Sequence, residues 1–82
     1  MTRAEVLKVI NMVFDIGESP EHYIDCDYET RHKDIDLYVF KKDYDGPETA
    51  IEDSITISKL DEEAMAWIER WTERLRKERV QA

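Results

Sequence analysis

Two short acidic segments hold the residues of this chain that could do chemistry. Asp25, Asp27 and Glu29 alternate with other residues, and Asp34 and Asp36 repeat that spacing shortly afterwards. Carboxylates at this spacing could begin a calcium loop, but the sixth position is a threonine instead of glycine and the twelfth is an aspartate instead of glutamate. The same carboxylates could instead form ion pairs with a basic surface of another protein.

Other residue sets that could carry enzymatic or metal chemistry are incomplete. His22 and Cys26 share a strand parity, but on an extended strand they lie about 13 Å apart, which favours a strand-end histidine and a buried cysteine over a metal site. Asp36 with Lys41 or Lys42 lacks the spacing of a nuclease carboxylate–lysine set. Neither a glycine-rich phosphate loop nor a G-x-S-x-G motif is present. We therefore expect a protein that is not an enzyme and that uses no metal or cofactor.

Length and composition limit what the chain can be. Its 82 residues allow a single domain, 1–82, and 41% of them are apolar and fall in periodic groups that predict a folded core. Twenty acids against 12 lysines and arginines give a formal net charge of −8, which argues against direct binding to nucleic acid or an anionic membrane. The single cysteine excludes an internal disulfide. No apolar run could cross a membrane and the N-terminus lacks a signal-like apolar core, so we expect a cytoplasmic protein.

Hydrophobic periodicity predicts the order α-β-β-β-α. A capping box at Thr2 and Glu5, followed by apolar residues at 3.6-residue spacing, predicts a first helix that ends near Gly17. Alternation with period two predicts three strands, and a second apolar stripe predicts a final helix. We expect these later elements at 22–29, 34–41, 51–58 and roughly 61–79. Both helices should pack on one face of a three-stranded antiparallel meander, which is an α+β fold.

Two features of the later elements leave alternatives open. Asp53 has the inward parity of the third strand, so either the strand starts later or a β-bulge lies there. Trp67 and Trp71 lie one turn apart on the last helix, where they either belong to the core or form a ledge that faces a partner.

The acids concentrate in the predicted sheet and its loops. Residues 15–63 carry 16 acids against five bases, a net charge of −11. A hairpin with a four-residue turn places Glu29 opposite Asp34 and Asp27 opposite Asp36. Like charges directly opposite each other destabilise a sheet by up to about 1 kcal/mol per pair.

This outward face has two interpretations. It is either a solvated surface that aids solubility and protects the sheet edges, or a binding surface for something strongly basic. Aromatic residues share the face and would add apolar contact area to the carboxylates. The candidate binding residues are Asp25, Asp27, Glu29, Asp34, Asp36, Tyr38, Phe40 and the loop residues Asp43 and Asp45.

The order α-β-β-β-α resembles that of the double-stranded-RNA-binding domain. That family grips phosphates with a lysine cluster at the start of its last helix, whereas the corresponding residues here include Asp61, Glu62 and Glu63. The resemblance therefore implies the architecture without the RNA binding.

The size, acidity and carboxylate-rich meander also resemble small phage or mobile-element inhibitors. These include anti-CRISPR proteins that occupy the DNA-binding channel of Cas9 and the acidic inhibitor of uracil-DNA glycosylase, which present Asp and Glu where the enzyme expects phosphates. The resemblance implies an inhibitor that acts in a bacterial host, as a monomer or weak dimer, by occluding the basic nucleic-acid-binding site of an enzyme. The alternative is a bacterial accessory domain that acts through oligomerisation or protein–protein contact.

Overall fold

The computed structural model describes residues 1–42 and 50–81 and confirms the predicted α-β-β-β-α order. The elements are α1 (Arg3–Ile16), β1 (His22–Glu29), β2 (Asp34–Lys41), β3 (Ala50–Ile57) and α2 (Glu62–Gln81). The strands form one antiparallel sheet in the order β1-β2-β3. Both helices pack on the same face of this sheet, as expected for a two-layer α+β fold.

The start of α1 is fixed by the predicted capping box. The Thr2 hydroxyl accepts the Glu5 N–H at 3.2 Å, and the Glu5 carboxylate accepts the Thr2 N–H at 3.0 Å. The other Glu5 oxygen accepts the Leu60 N–H at 3.1 Å, which ties α1 to the segment before α2. These backbone hydrogen bonds lower the pKa of Glu5. At the other end, the helix stops at Gly17, whose φ of 67° is a left-handed conformation that glycine adopts without side-chain strain.

The core lies between the inward face of the sheet and the two helices. Ile35, Leu37 and Val39 of β2 are fully buried at its centre, as their alternation predicted. Burial of an aliphatic side chain of this size stabilises the fold by roughly 1.5–3 kcal/mol. From α2, Trp67 and Trp71 are only 4% and 5% exposed, so the tryptophans belong to the core and do not form a partner-facing ledge.

A β-bulge lies directly before Asp53 in β3. From Asp53 to the end of the strand, β3 pairs regularly with β2, whereas before Asp53 the pairing is offset by one residue, so that Ile51 lies opposite Phe40. Glu52 is the extra residue of this bulge. Asp53 itself lies on the regular side of the bulge and has the inward parity, and its carboxylate accepts the Trp71 indole N–H at 2.9 Å. Of the two alternatives for this strand, the bulge is the one observed.

The inward face of β1 is covered at one end only. His22 is 1% exposed, whereas Cys26 and Tyr28, which have the same parity, are exposed. The prediction of a buried cysteine is therefore wrong. Strand parity places Cys26 on the helix side of the sheet, but the helices leave its side chain exposed on this edge strand.

The two buried tryptophans differ in hydrogen bonding, which provides a test of the core. The Trp67 indole N–H has no hydrogen-bond partner among the described residues, whereas Trp71 donates to Asp53. Trp71→Phe leaves the Asp53 carboxylate without its donor, while Trp67→Phe removes an unpaired donor. Urea denaturation should therefore show a loss of unfolding free energy about 1–3 kcal/mol larger for W71F than for W67F. Equal losses would mean that the Trp71–Asp53 hydrogen bond does not contribute to stability.

Candidate functional site

The outward face of the sheet carries the predicted acids in the predicted register. In the pairing of β1 with β2, Asp27 lies opposite Asp36 and Glu29 lies opposite Asp34. Same-side neighbours along a strand are about 6.6–6.8 Å apart, so these four carboxylates occupy a short stretch of the sheet. Their mutual repulsion opposes folding and is not relieved by the strand register.

The end of this face near the hairpin turn is partly neutralised, whereas its middle is not. Arg31 and His32 lie 3.4 Å and 3.0 Å from the Glu29 carboxylate. Asp25 and Asp27 form no ion pair with any residue in the described parts of the chain. The middle of the face therefore presents negative charge that the described part of the protein leaves uncompensated.

An apolar cluster adjoins these acids on the same face. The Tyr23 and Phe40 rings stack with centroids 5.1 Å apart, and the Tyr38 ring centroid lies 6.3 Å from that of Phe40. The β3 bulge places Ile51 opposite Phe40, where it is 56% exposed. Aromatic and aliphatic side chains supply the contact area on which the affinity of a protein interface depends, and carboxylates alone do not.

A shallow depression of about 470 Å³ joins the charged and apolar parts of the face. It is lined by Asp25, Cys26, Asp27, Tyr38, Phe40 and Ile51. A protruding lysine or arginine suits this site, because its aliphatic stem can pack on the rings while its charged end reaches the carboxylates. The depression thus favours a basic protein side chain as its ligand.

All the predicted site residues on β1 and β2 share this outward face, and the remaining two, Asp43 and Asp45, lie outside the described residues. Sequence reasoning missed Ile51, because only the bulge gives it an outward position, and the irregular parity of Asp53 was the available signal. We call the complete surface the acidic–aromatic face. It consists of Tyr23, Asp25, Asp27, Glu29, Asp34, Asp36, Tyr38, Phe40 and Ile51.

A second ionisable cluster lies at the helix side of the sheet. The His22 side chain is 1% exposed, and both of its ring nitrogens face carboxylates: Nδ1 lies 2.7 Å from Glu78, and Nε2 is hydrogen-bonded to Glu52. The Arg74 guanidinium lies 3.3 Å from Glu52 and 3.4 Å from Glu78, and it also packs over the Trp71 ring at 4.7 Å. This cluster joins β1, β3 and α2.

The arrangement of this cluster favours a structural role over a chemical one. Glu21, His22 and Glu78 bring ligand atoms within 4.8 Å of one another, as a metal site would. However, both His22 nitrogens already face carboxylates, and the Arg74 charge beside Glu78 opposes the binding of a cation. The Ser19 hydroxyl donates to the Glu78 carboxylate at 2.6 Å and accepts the backbone N–H groups of Glu21 and His22, which is the hydrogen bonding of a structural turn.

The Glu78 carboxylate is stabilised in its charged form. Burial acts to raise its pKa, but hydrogen bonds from Ser19 and His22 and the charges of His22 and Arg74 outweigh burial and leave the pKa below its ordinary value. A carboxyl whose pKa is lower in the folded state stabilises the protein above the unfolded pKa. That contribution is lost as the pH falls through the folded value.

Comparison of the chain with protein-family models, with curated proteins and with solved structures finds no match. None of the helices in the described residues is long and apolar enough to span a membrane. The function is therefore inferred from the residues of the acidic–aromatic face.

The lowered pKa of Glu78 predicts a specific loss of stability in acid. Lowering the pH from about 5 to about 3 should reduce the free energy of unfolding, because the Glu78 carboxylate takes up a proton and loses its partners. The Glu78→Gln protein should have a lower free energy of unfolding than the parent at pH 7. Its free energy of unfolding should also fall less than the parent's between about pH 5 and about pH 3. Glu69→Gln, at an exposed position of α2, is the matched control and should follow the parent in urea denaturation at fixed ionic strength. If the free energy of unfolding of E78Q fell as steeply with pH as that of the parent, the Glu78 carboxylate would not be the source of the acid sensitivity.

The crowded carboxylates predict a stabilising double substitution, Asp27→Asn with Asp36→Asn. Asparagine keeps the side-chain shape and can still accept the Thr56 hydroxyl, which lies 2.5 Å from Asp36. Relief of the like-charge pair should raise the unfolding free energy by up to about 1 kcal/mol, and added salt should reduce the gain. Glu62→Gln with Glu63→Gln removes the same charge from the first turn of α2, where acids complement the helix dipole, and should not stabilise. Thermal melting of all three proteins at two salt concentrations tests this difference.

Proposed function

We propose that this chain is a non-enzymatic protein that binds a basic protein surface through its acidic–aromatic face. The observation that carries the proposal is that Asp25 and Asp27, which form no ion pair within the described residues, lie beside the half-buried rings of Tyr38 and Phe40 and the exposed Ile51. Charge and apolar contact area meet there on one rigid sheet. This combination supports recognition of a protein better than it supports a purely solvated surface.

The energetic cost of the face supports a binding role. A sheet that needed only a polar outer surface could place lysine or threonine opposite Asp27 and Glu29, and either choice would remove repulsion. Small domains have little stability to spare, so a cost of up to about 1 kcal/mol per acid pair is a noticeable part of the total free energy of unfolding. A basic partner would turn this repulsion into attraction, since it would supply counter-charge to the carboxylates that have no ion pair within residues 1–42 and 50–81.

The two halves of the face would contribute differently to binding. The carboxylates would attract a basic surface over a distance of about a Debye length and raise the association rate. The depression between the aromatic rings and Asp25 would then hold a lysine or arginine of the partner, and the desolvated rings would slow dissociation. Inhibition by this route needs no chemistry, because the bound protein simply covers the partner's surface.

The partner class that fits this face is a nucleic-acid-binding enzyme in the cytoplasm of a bacterial host, such as a CRISPR nuclease. The sites that bind DNA or RNA backbones are lined by lysine and arginine, which neutralise phosphates. Rows of carboxylates can occupy such a site in place of the phosphates. A net charge of −8 keeps this chain itself from binding nucleic acid, so it would compete with the substrate instead of associating with it.

A second candidate function is that of an accessory domain that acts through protein–protein contact. It is favoured by exposed apolar residues on α1, where Leu7 is 54% and Phe14 is 84% exposed. These residues lie on the helix side of the sheet, away from the acidic–aromatic face.

Binding to a purified Cas9–guide RNA complex and to proteins of a bacterial lysate tests the proposal. Three versions of the chain serve as immobilised baits: the parent, Asp27→Asn/Asp36→Asn, and the control Glu62→Gln/Glu63→Gln. The parent and the control should capture the same partner and release it at high salt, and they should inhibit its binding to DNA. The D27N/D36N protein should bind at least about tenfold more weakly, which corresponds to about 1.4 kcal/mol, although its fold is at least as stable. A D27N/D36N protein that captures the partner with unchanged affinity and salt dependence would refute the proposed binding face.

A further inference from the structure

The sheet has a regular free edge at β1. β1 pairs with β2 without interruption over all eight of its residues, and within the described residues no strand lies on its other side. The opposite edge, at β3, is interrupted by the bulge at Glu52. A regular edge strand presents a row of backbone N–H and C=O groups to which a further strand can bind. β1 is therefore the edge better suited to pairing.

The hydrogen bonds at the start of β1 show which of its residues face this edge. The Lys42 N–H donates to the Glu21 carbonyl at 2.8 Å, so residues with the parity of Glu21 bond towards β2. His22 has the other parity and faces the free edge. There its carbonyl accepts the Ser19 N–H at 2.9 Å, and its own N–H donates to the Ser19 hydroxyl at 3.0 Å. The segment before β1 therefore satisfies the first position of the edge.

The next three positions of this edge are open. Ile24, Cys26 and Tyr28 have the parity of His22, so their backbone N–H and C=O groups point away from β2. Within residues 1–42 and 50–81 no hydrogen bond reaches these groups. We call the three residues the open β1 edge.

The side chains of β1 indicate which sequence would fit beside it. Alternate side chains of an added strand would lie on the outward face, next to Asp25 and Asp27, which have no ion pair within the described residues. Lysine or arginine at those positions would complement the carboxylates. The intervening side chains would lie on the helix side, where Cys26 and Tyr28 are exposed.

A hollow on the helix side would accept an apolar side chain of the added strand. It has a volume of about 430 Å³ and adjoins Tyr28 at the end of the open β1 edge. Its lining consists of Met1, Arg3, Val6, Leu7, Tyr28 and Lys33. The two sides of β1 thus favour a strand in which basic and apolar residues alternate.

We propose that the basic partner binds by strand addition, through an extended segment of alternating basic and apolar residues that pairs with the open β1 edge. The inference rests on the proposed function and adds the conformation and the sequence pattern of the segment that is bound. Backbone hydrogen bonds would supply affinity, and the alternating side chains would supply specificity.

The acids of β1 determine which strands this edge accepts. A second copy of β1 would bring carboxylates against Asp25 and Asp27, so like charges oppose the pairing of two chains. A basic segment reverses the sign of that interaction. The same charge that protects the edge from self-association therefore favours a basic strand.

Amide hydrogen exchange of the full chain, followed by NMR, tests the proposal. The probe is a peptide of about eight residues in which valine and lysine alternate. In the free protein, the N–H groups of the open β1 edge should exchange faster than those of Asp25 and Asp27, which bond to β2. Saturating peptide should slow exchange at the open β1 edge by at least about tenfold more than at Asp25 and Asp27. Absence of this excess protection would overturn the proposal.

Controls separate strand pairing from charge attraction alone. A peptide with the same valines and lysines in two blocks, and one that alternates valine with glutamate, should not protect the edge. Asp25→Asn with Asp27→Asn should weaken binding of the valine–lysine peptide at least about threefold, whereas Glu62→Gln with Glu63→Gln should bind it like the parent. All four positions are exposed, and thermal melting checks that both variants keep the fold. Equal protection by the block peptide, or unchanged affinity of D25N/D27N, would refute strand addition.

The outcome is separable from that of the proposed function. If the peptide fails to protect the open β1 edge while D27N/D36N still loses its protein partner, strand addition is wrong and the acidic–aromatic face keeps its role. If the peptide protects the edge but D27N/D36N captures the partner unchanged, the proposed binding face is refuted, and strand addition as the route to that partner falls with it.

Discussion

The β-bulge at Glu52 is the constraint on which the other features of this protein depend. On its regular side Asp53 stays inward, where the carboxylate accepts the Trp71 indole N–H, and on its other side the bulge gives Ile51 a place on the outward face. The extra residue of the bulge, Glu52, contacts the buried His22 in the ion cluster. A regular strand could not serve the core, the cluster and the acidic–aromatic face at once, since a shift of one residue reverses every side chain of a strand.

The two faces of the sheet differ in whether their acidic side chains have basic partners. On the helix side, the carboxylates of Glu78 and Glu52 each contact His22 and Arg74, so these acids are paired within the fold. On the outward side, acid lies opposite acid, and Asp25 and Asp27 have no counter-charge in the described residues. The chain can form matched pairs where burial demands them. The acids with basic partners thus lie on the helix side, whereas acids oppose one another on the outward side.

Sequence periodicity predicted the elements and the hairpin register, because both depend on neighbouring residues and on the length of one turn. It also brought the acids of β1 and β2 to one face, and it left the bulge open as an explanation for Asp53. It failed for Cys26, since strand parity gives the side of the sheet but not the extent of the helix above it. It also missed the contact of Glu52 and Glu78 with His22, because residues 30 and 56 positions away are brought to His22 by the placement of β3 and α2, which periodicity does not give.

The acidic–aromatic face and the exposed apolar residues of α1 lie on opposite sides of the sheet. Attraction between a chain of net charge −8 and a basic partner would be strongest at low salt, because dissolved ions screen charge. Contact through Leu7 and Phe14 would be apolar, and added salt would not weaken it. Ionic strength would therefore separate the two candidate functions without any change of sequence, since only a partner held by the acidic–aromatic face would be released as salt is added.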